Sequence, residues 1–121
     1  MAYELRSENS TISEIHAIAG AAKTVGEADL IDGKLGFWPN GAENGELQLF
    51  IFGAKRLLVD ADDAVTFSQG NAVYDAGTPT GEVNKTATAG RRLVGYALKT
   101  YAAGTAQIEV ENFDGTRDVT T

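Results

Sequence analysis

Apolar and polar residues alternate most cleanly over residues 105–112, where Ala106, Ile108 and Val110 oppose Gln107, Glu109 and Glu111. Successive side chains of a strand point to opposite faces, so this segment predicts a strand with one packed and one wet face. Residues 46–53 read differently: Leu47, Leu49 and Ile51 share one side, while Phe50 and Phe52 put large rings on the other. Both faces of that strand need cover. Residues 92–99 behave similarly, with Val94, Tyr96 and Leu98 opposite Leu93, Gly95 and Ala97. The bare Gly95 lets another backbone come close. Central strands of a small closed barrel and strands at a subunit contact both fit these two segments.

Shorter strands are predicted at 28–31, 35–38, 56–59, 72–74 and 82–85, separated by Asp32-Gly33, Asn40-Gly41, Asn44-Gly45 and Gly70-Asn71. Asp-Gly and Asn-Gly favour two-residue hairpins because those turns need positive φ. Residues 30–38 around Asp32-Gly33 form the clearest hairpin. Residues 11–23 stay open between helix and strand. Thr11 and Glu14 have capping-box spacing before a possible stop at Gly20, yet neither period gives a clean apolar face. The two ends are polar and aperiodic. The expected organisation is an N-terminal arm over 1–12, one β-domain over 13–112 and a C-terminal tail over 113–121.

Composition supports an all-β reading, since the chain has fourteen glycines against two prolines, and almost every apolar run ends at a glycine. At 121 residues and 43% hydrophobic it is expected to form one globular domain, and no apolar run is long enough for a membrane helix. The absence of cysteine removes disulfides, thiolate metal sites and thiol nucleophiles. Glu4, Arg6 and Glu8 stand where a signal peptide would be apolar, so folding in the cytoplasm that makes the chain is expected. A formal charge of −7, with ten scattered Lys and Arg, argues against nucleic acid as a partner.

Candidate chemistry is sparse. Gly33-Lys34 is followed by Leu35 and has no glycine five residues upstream, so it makes no phosphate loop. Asp60-Ala61-Asp62-Asp63 opens like a calcium loop, but Val65 and Asn71 occupy the positions that require Gly and a bidentate Glu. His16 is the sole histidine and no Gly-x-Ser-x-Gly elbow accompanies it, so it reads as an ordinary surface or half-buried residue. Arg91-Arg92 has the charge to grip an anionic surface, but reads first as a pair that flanks a strand and protects its edge. No catalytic, cofactor or metal site is expected, and hence no enzyme. Trp38, Phe50 and Phe52 are core material first, and the first candidates for a subunit interface if the chain oligomerises.

Six pieces of the chain, in order, resemble a family of tailed-phage capsid decoration (cement) proteins, a family once labelled as phage recombinases. Val25-Gly26-Glu27-Ala28 is similar to a first Gly-Asp-x-Val entry, with Glu27 and Ala28 as departures. Leu35-Gly36-Phe37 and Asn44-Gly45-Glu46 match the following strand and turn, and residues 55–59 a short strand. Gln69-Gly70-Asn71-Ala72-Val73-Tyr74 resembles the second Gly-Asp-x-Val-Tyr, and Leu93-Val94-Gly95-Tyr96-Ala97-Leu98 the Ile-Gly-Val-Ala-Leu strand.

That resemblance implies a small β-barrel-like domain with a flexible N-terminal arm. It implies homotrimers on the outer surface of the expanded capsid, with the major capsid protein as partner and no cofactor, nucleic acid or membrane. It also implies that the arm orders on the shell, through residues such as Tyr3, Leu5, Arg6 and Ile12, and it favours strand for 11–18. Charge and the missing phosphate loop contradict the recombinase label. Rival expectations are a tail, neck or head-fibre component, and a small β-barrel ligand-binding protein.

Overall fold

The computed structural model describes residues 3–6, 12–62, 64–75, 81–86 and 91–116. Among these there is no helix. Nine strands are formed: β1 (Tyr3–Leu5), β2 (Ser13–Ile18), β3 (Glu27–Ile31), β4 (Lys34–Trp38), β5 (Leu47–Ala61), β6 (Ala72–Asp75), β7 (Glu82–Asn84), β8 (Leu93–Ala97) and β9 (Gln107–Asp114). The all-β expectation holds, and residues 13–18 are a strand.

β5 is the spine. Its pairings with β7 and β9 close a five-stranded barrel in the order β5-β7-β6-β8-β9, with β5–β7 parallel and the other pairs antiparallel. Closure leaves no free edge within the barrel itself. The extra strands attach to β5. β1 runs along its later half with Tyr3 opposite Val59, β2 along its earlier half with Ile15 opposite Phe50, and β4 on the other side with Phe37 opposite Ile51. β3 and β4 form the expected hairpin, with Ile31 opposite Lys34. Asp32 (φ 49°) and Gly33 (φ 76°) take the two left-handed positions that such a turn needs.

The sequence divided this spine into two strands, at 46–53 and 56–59, whereas β5 passes through Gly53 without a turn. The glycine serves a close approach instead: a Cβ there would lie 2.9 Å from the side chain of Ser13 on β2. The spine kinks just beyond. From Ala54 to Leu57 the buried positions skip two residues, where alternation skips one, and on β9 they skip two from Val110 to Phe113. Asn112 absorbs the bend with φ 58°, within the left-handed region that Asn tolerates better than most residues.

The kink also corrects the tail expected over 113–121. Phe113 is buried and strand continues to Asp114, because the bend turns Phe113 back into the core. Gly115 then bridges two elements, donating its N–H to the Phe52 carbonyl and accepting from the Leu35 N–H. Residues 117–121 lie outside the described residues.

Two apolar clusters result. The larger fills the barrel and continues under the hairpin, with Leu57, Val59, Ile108 and Val110 from the spine pair and Leu35 and Phe37 from β4. The smaller, on the opposite face of the early half of β5, joins Trp38, Phe50 and Ala19, with Ile15, Ala17 and Phe52 packed on it. This is why residues 46–53 carry large apolar side chains on both faces. Each fully buried side chain of this size stabilises the fold by about 1.5–3 kcal/mol relative to exposure.

Candidate functional site

The N-terminal segment is fastened to the body. Tyr3 is 0% exposed, with its ring 5.8 Å from Phe37 and 6.0 Å from Phe113, centre to centre. Its hydroxyl donates to Asp75 Oδ2 at 3.0 Å, and the Gly81 N–H donates to the same oxygen at 3.2 Å. Asp75 is fully buried. Period-two alternation along β6 puts it on the same face as Val73, a signal legible in Ala72-Val73-Tyr74-Asp75 that the sequence reading missed. Burial, then the charge of Asp75, then the hydrogen bond to it hold the Tyr3 hydroxyl well above the usual tyrosine range.

The arm expected over 1–12 is thus anchored at Tyr3–Leu5 along β5, and Tyr3 offers no side-chain surface to a partner. Leu5 and Ile12 are half-buried against the larger cluster. Arg6 is exposed; its N–H donates to the Arg56 carbonyl at 3.2 Å, and its guanidinium reaches Glu4 at 3.5 Å and Glu109 at 4.0 Å. Such exposed ion pairs contribute little, roughly 0–1 kcal/mol. Residues 7–11 lie outside the described residues.

The interface candidates Trp38 and Phe50 are buried within the chain, their rings 5.3 Å apart. Trp38 Nε1 donates to Asp29 Oδ2 at 3.0 Å, and Lys23 Nζ lies 3.2 Å from the same oxygen. Asp29→Ala should therefore leave the indole N–H without its acceptor and destabilise by about 1–3 kcal/mol, read from the fluorescence of the single tryptophan during urea unfolding. Phe52 is half-buried with Lys34 Nζ 5.6 Å from its ring centre.

The remaining motifs have structural partners. Asp60 accepts from Gln107 Nε2 and Asp62 from the Ala64 N–H, the second being a turn that a short polar side chain favours. Arg91 donates to Asn84 Oδ1 and the Thr86 carbonyl. Among the described residues, no group of three or more acids or histidines is placed to hold a metal ion. One concavity, about 800 Å³, is an open cleft at the kink, bordered by Ser13, Phe52, Lys55, Tyr96 and Asn112. Asp114 on its rim already accepts from the Thr116 N–H and hydroxyl.

What distinguishes the surface is β2. Ile18 and Leu47 are 66% and 59% exposed and lie opposite each other in the β2–β5 register, forming an apolar pair open to solvent. Among the described residues, β2 pairs with β5 alone, so its outer edge is open. Comparison of this chain with protein-family models, curated proteins and solved structures found no match.

Proposed function

We propose that this chain is a structural protein of a tailed-phage particle, carried on the outside of the expanded capsid, where it stabilises contacts between capsomers. The observation that supports the reading is the position of the six resembling segments. They lead into β3, lie in β4, form the turn before β5, lie in its second half, and supply the turn into β6, most of β6 and all of β8. They fall in the hairpin and in three of the five barrel strands, β5, β6 and β8, or in the turns that lead into them, in chain order. The net charge of −7 suits a protein held at high concentration without self-aggregation.

In this reading the partners are the major capsid protein and further copies of the chain, clustered as trimers at threefold positions. The protein is made in the host cytoplasm and acts without cofactor. Attachment falls to exposed residues at the start of the chain, Arg6 first, because Tyr3 is committed to the core. Linked copies raise one another's effective concentration, so weak individual contacts suffice.

Purified protein added to undecorated expanded capsids should saturate symmetric positions and raise the temperature at which the shells rupture. Equal binding to unexpanded shells, or none to either form, would overturn the reading. Arg6→Glu should lower the bound amount while leaving the circular dichroism spectrum unchanged. A tail, neck or head-fibre component would give no gain in rupture temperature.

A further inference from the structure

The sheet formed by β2, β5, β4 and β3 has two outer strands, and they are built differently. β3 carries Glu27 and Asp29 within five residues, and Lys23 lies 3.7 Å from one and 3.2 Å from the other. Charged side chains on a short edge strand discourage pairing with another chain. β2 reads Ser13-Glu14-Ile15-His16-Ala17-Ile18, with neither Lys, Arg nor Pro to blunt it, and ends on an exposed isoleucine.

The direction of its backbone groups follows from Ala19. The Ala19 N–H donates to the Glu46 carbonyl and its carbonyl accepts from the Gly45 N–H, both on the β5 side. Backbone groups alternate in direction along a strand. Those of Ala17 and Ile15 therefore turn toward β5, and those of Glu14, His16 and Ile18 turn outward.

We propose that this edge pairs antiparallel with the same edge of a second copy, about a two-fold axis through Ile15. Outward-facing residues must meet one another in such a ladder, which leaves a short choice of registers. Centred on Glu14, two carboxylates face each other; centred on His16, two imidazoles meet and Glu14 faces Ile18. Centred on Ile15, Glu14 faces the second copy's His16 twice over, Ser13 faces Ala17, and the exposed Ile18 is covered by Ile12. Polar hydrogen-bonding pairs and apolar pairs across strands stabilise a ladder, and like charges directly opposite oppose it. The pairing is two-fold, separate from threefold clustering on a shell, and it does not depend on the capsid reading.

The chain has no cysteine, so single cysteines report the register directly. Directly opposite residues outside the hydrogen-bonded pairs lie about 4.5 Å apart at Cα, within disulfide range. Under mild oxidation at ~0.1 mM, where small interfaces associate, Ile15→Cys should give a covalent dimer. Ser13→Cys alone should not, while a mixture of Ser13→Cys with Ala17→Cys should give the mixed dimer. The mixture decides the matter if Ile15→Cys, at a half-buried position, fails to fold. In sedimentation equilibrium His16→Glu should weaken the dimer about tenfold or more, and Glu14→His combined with His16→Glu should restore it. A monomeric wild type at that concentration, or cross-linking through His16→Cys in place of both predicted pairs, would overturn the proposal.

Discussion

Tyr3→Ala should destabilise the protein by at least about 3–5 kcal/mol, the usual cost of emptying a buried aromatic site. The ring is fully enclosed between Phe37 of the hairpin and Phe113 of β9, so its loss leaves a cavity where the extra strands meet the barrel. The Asp75 carboxyl also loses the hydroxyl that donates to it, which adds about 1–3 kcal/mol for a buried acceptor. Against a total stability of about 5–15 kcal/mol, that places the variant at or near unfolding. Thermal denaturation followed by circular dichroism should show a fall in Tm of roughly 10–20 °C. A fall of only a degree or two would mean that β1 is not part of the folded core. Removing the first ten residues should unfold the chain for the same reason.

Tyr3→Phe separates the hydroxyl from the ring. It should cost about 1–3 kcal/mol near neutral pH and change the alkaline limb of the stability profile. The Tyr3 hydroxyl titrates well above its unfolded value of 10.0, so the folded state retains a proton that the unfolded state releases. Its contribution is complete below pH ~10 and is lost progressively above it, by up to about 1.4 kcal/mol per pH unit. Urea midpoints measured between pH 9 and 11.5 should therefore fall more steeply for the wild type than for Tyr3→Phe. Parallel profiles would remove the buried hydroxyl from the account.

Periodicity alone exposed most of the strands, because strands with one wet face, such as β9, write their alternation plainly: Ile108 and Val110 inward, Gln107 and Glu109 outward. It also marked the early half of β5 as covered on both sides, which the two clusters explain. It failed where one residue serves two elements. Gly53 resembled a strand end because close approach and chain reversal both select glycine, and Asn112 resembled a strand end because a left-handed residue inside a strand looks like a turn. Tyr3 was hidden for another reason. Three residues of strand between polar flanks show no period, and the contact that fixes them lies 72 positions away at Asp75. The open edge of β2 was equally invisible, since an edge is a property of sheet order.

Gly36→Val should be the most damaging substitution at any glycine of the hairpin, and Gly36→Ala the more informative one. A Cβ built on Gly36 would sit 2.3 Å from the Ile51 carbonyl oxygen and 2.6 Å from the Phe50 ring. The oxygen belongs to the spine and the ring is fully buried, so neither can move aside locally. β4 must then retreat from β5, and the two strands share the pairing of Phe37 with Ile51. That retreat draws Leu35 and Phe37 out of one cluster and Trp38 out of the other. Overpacking of this kind costs about 1–3 kcal/mol for a methyl and more for a branched side chain. Gly20→Ala supplies the control, because a Cβ there meets nothing within 4 Å, and an open surface site should change stability by no more than about 0.5 kcal/mol. The single tryptophan lies inside the smaller cluster, so its emission should shift to longer wavelength in Gly36→Ala and not in Gly20→Ala. Equal stabilities and unshifted emission in both variants would mean that the hairpin does not rest on the spine at the distance the close approach at Gly36 requires.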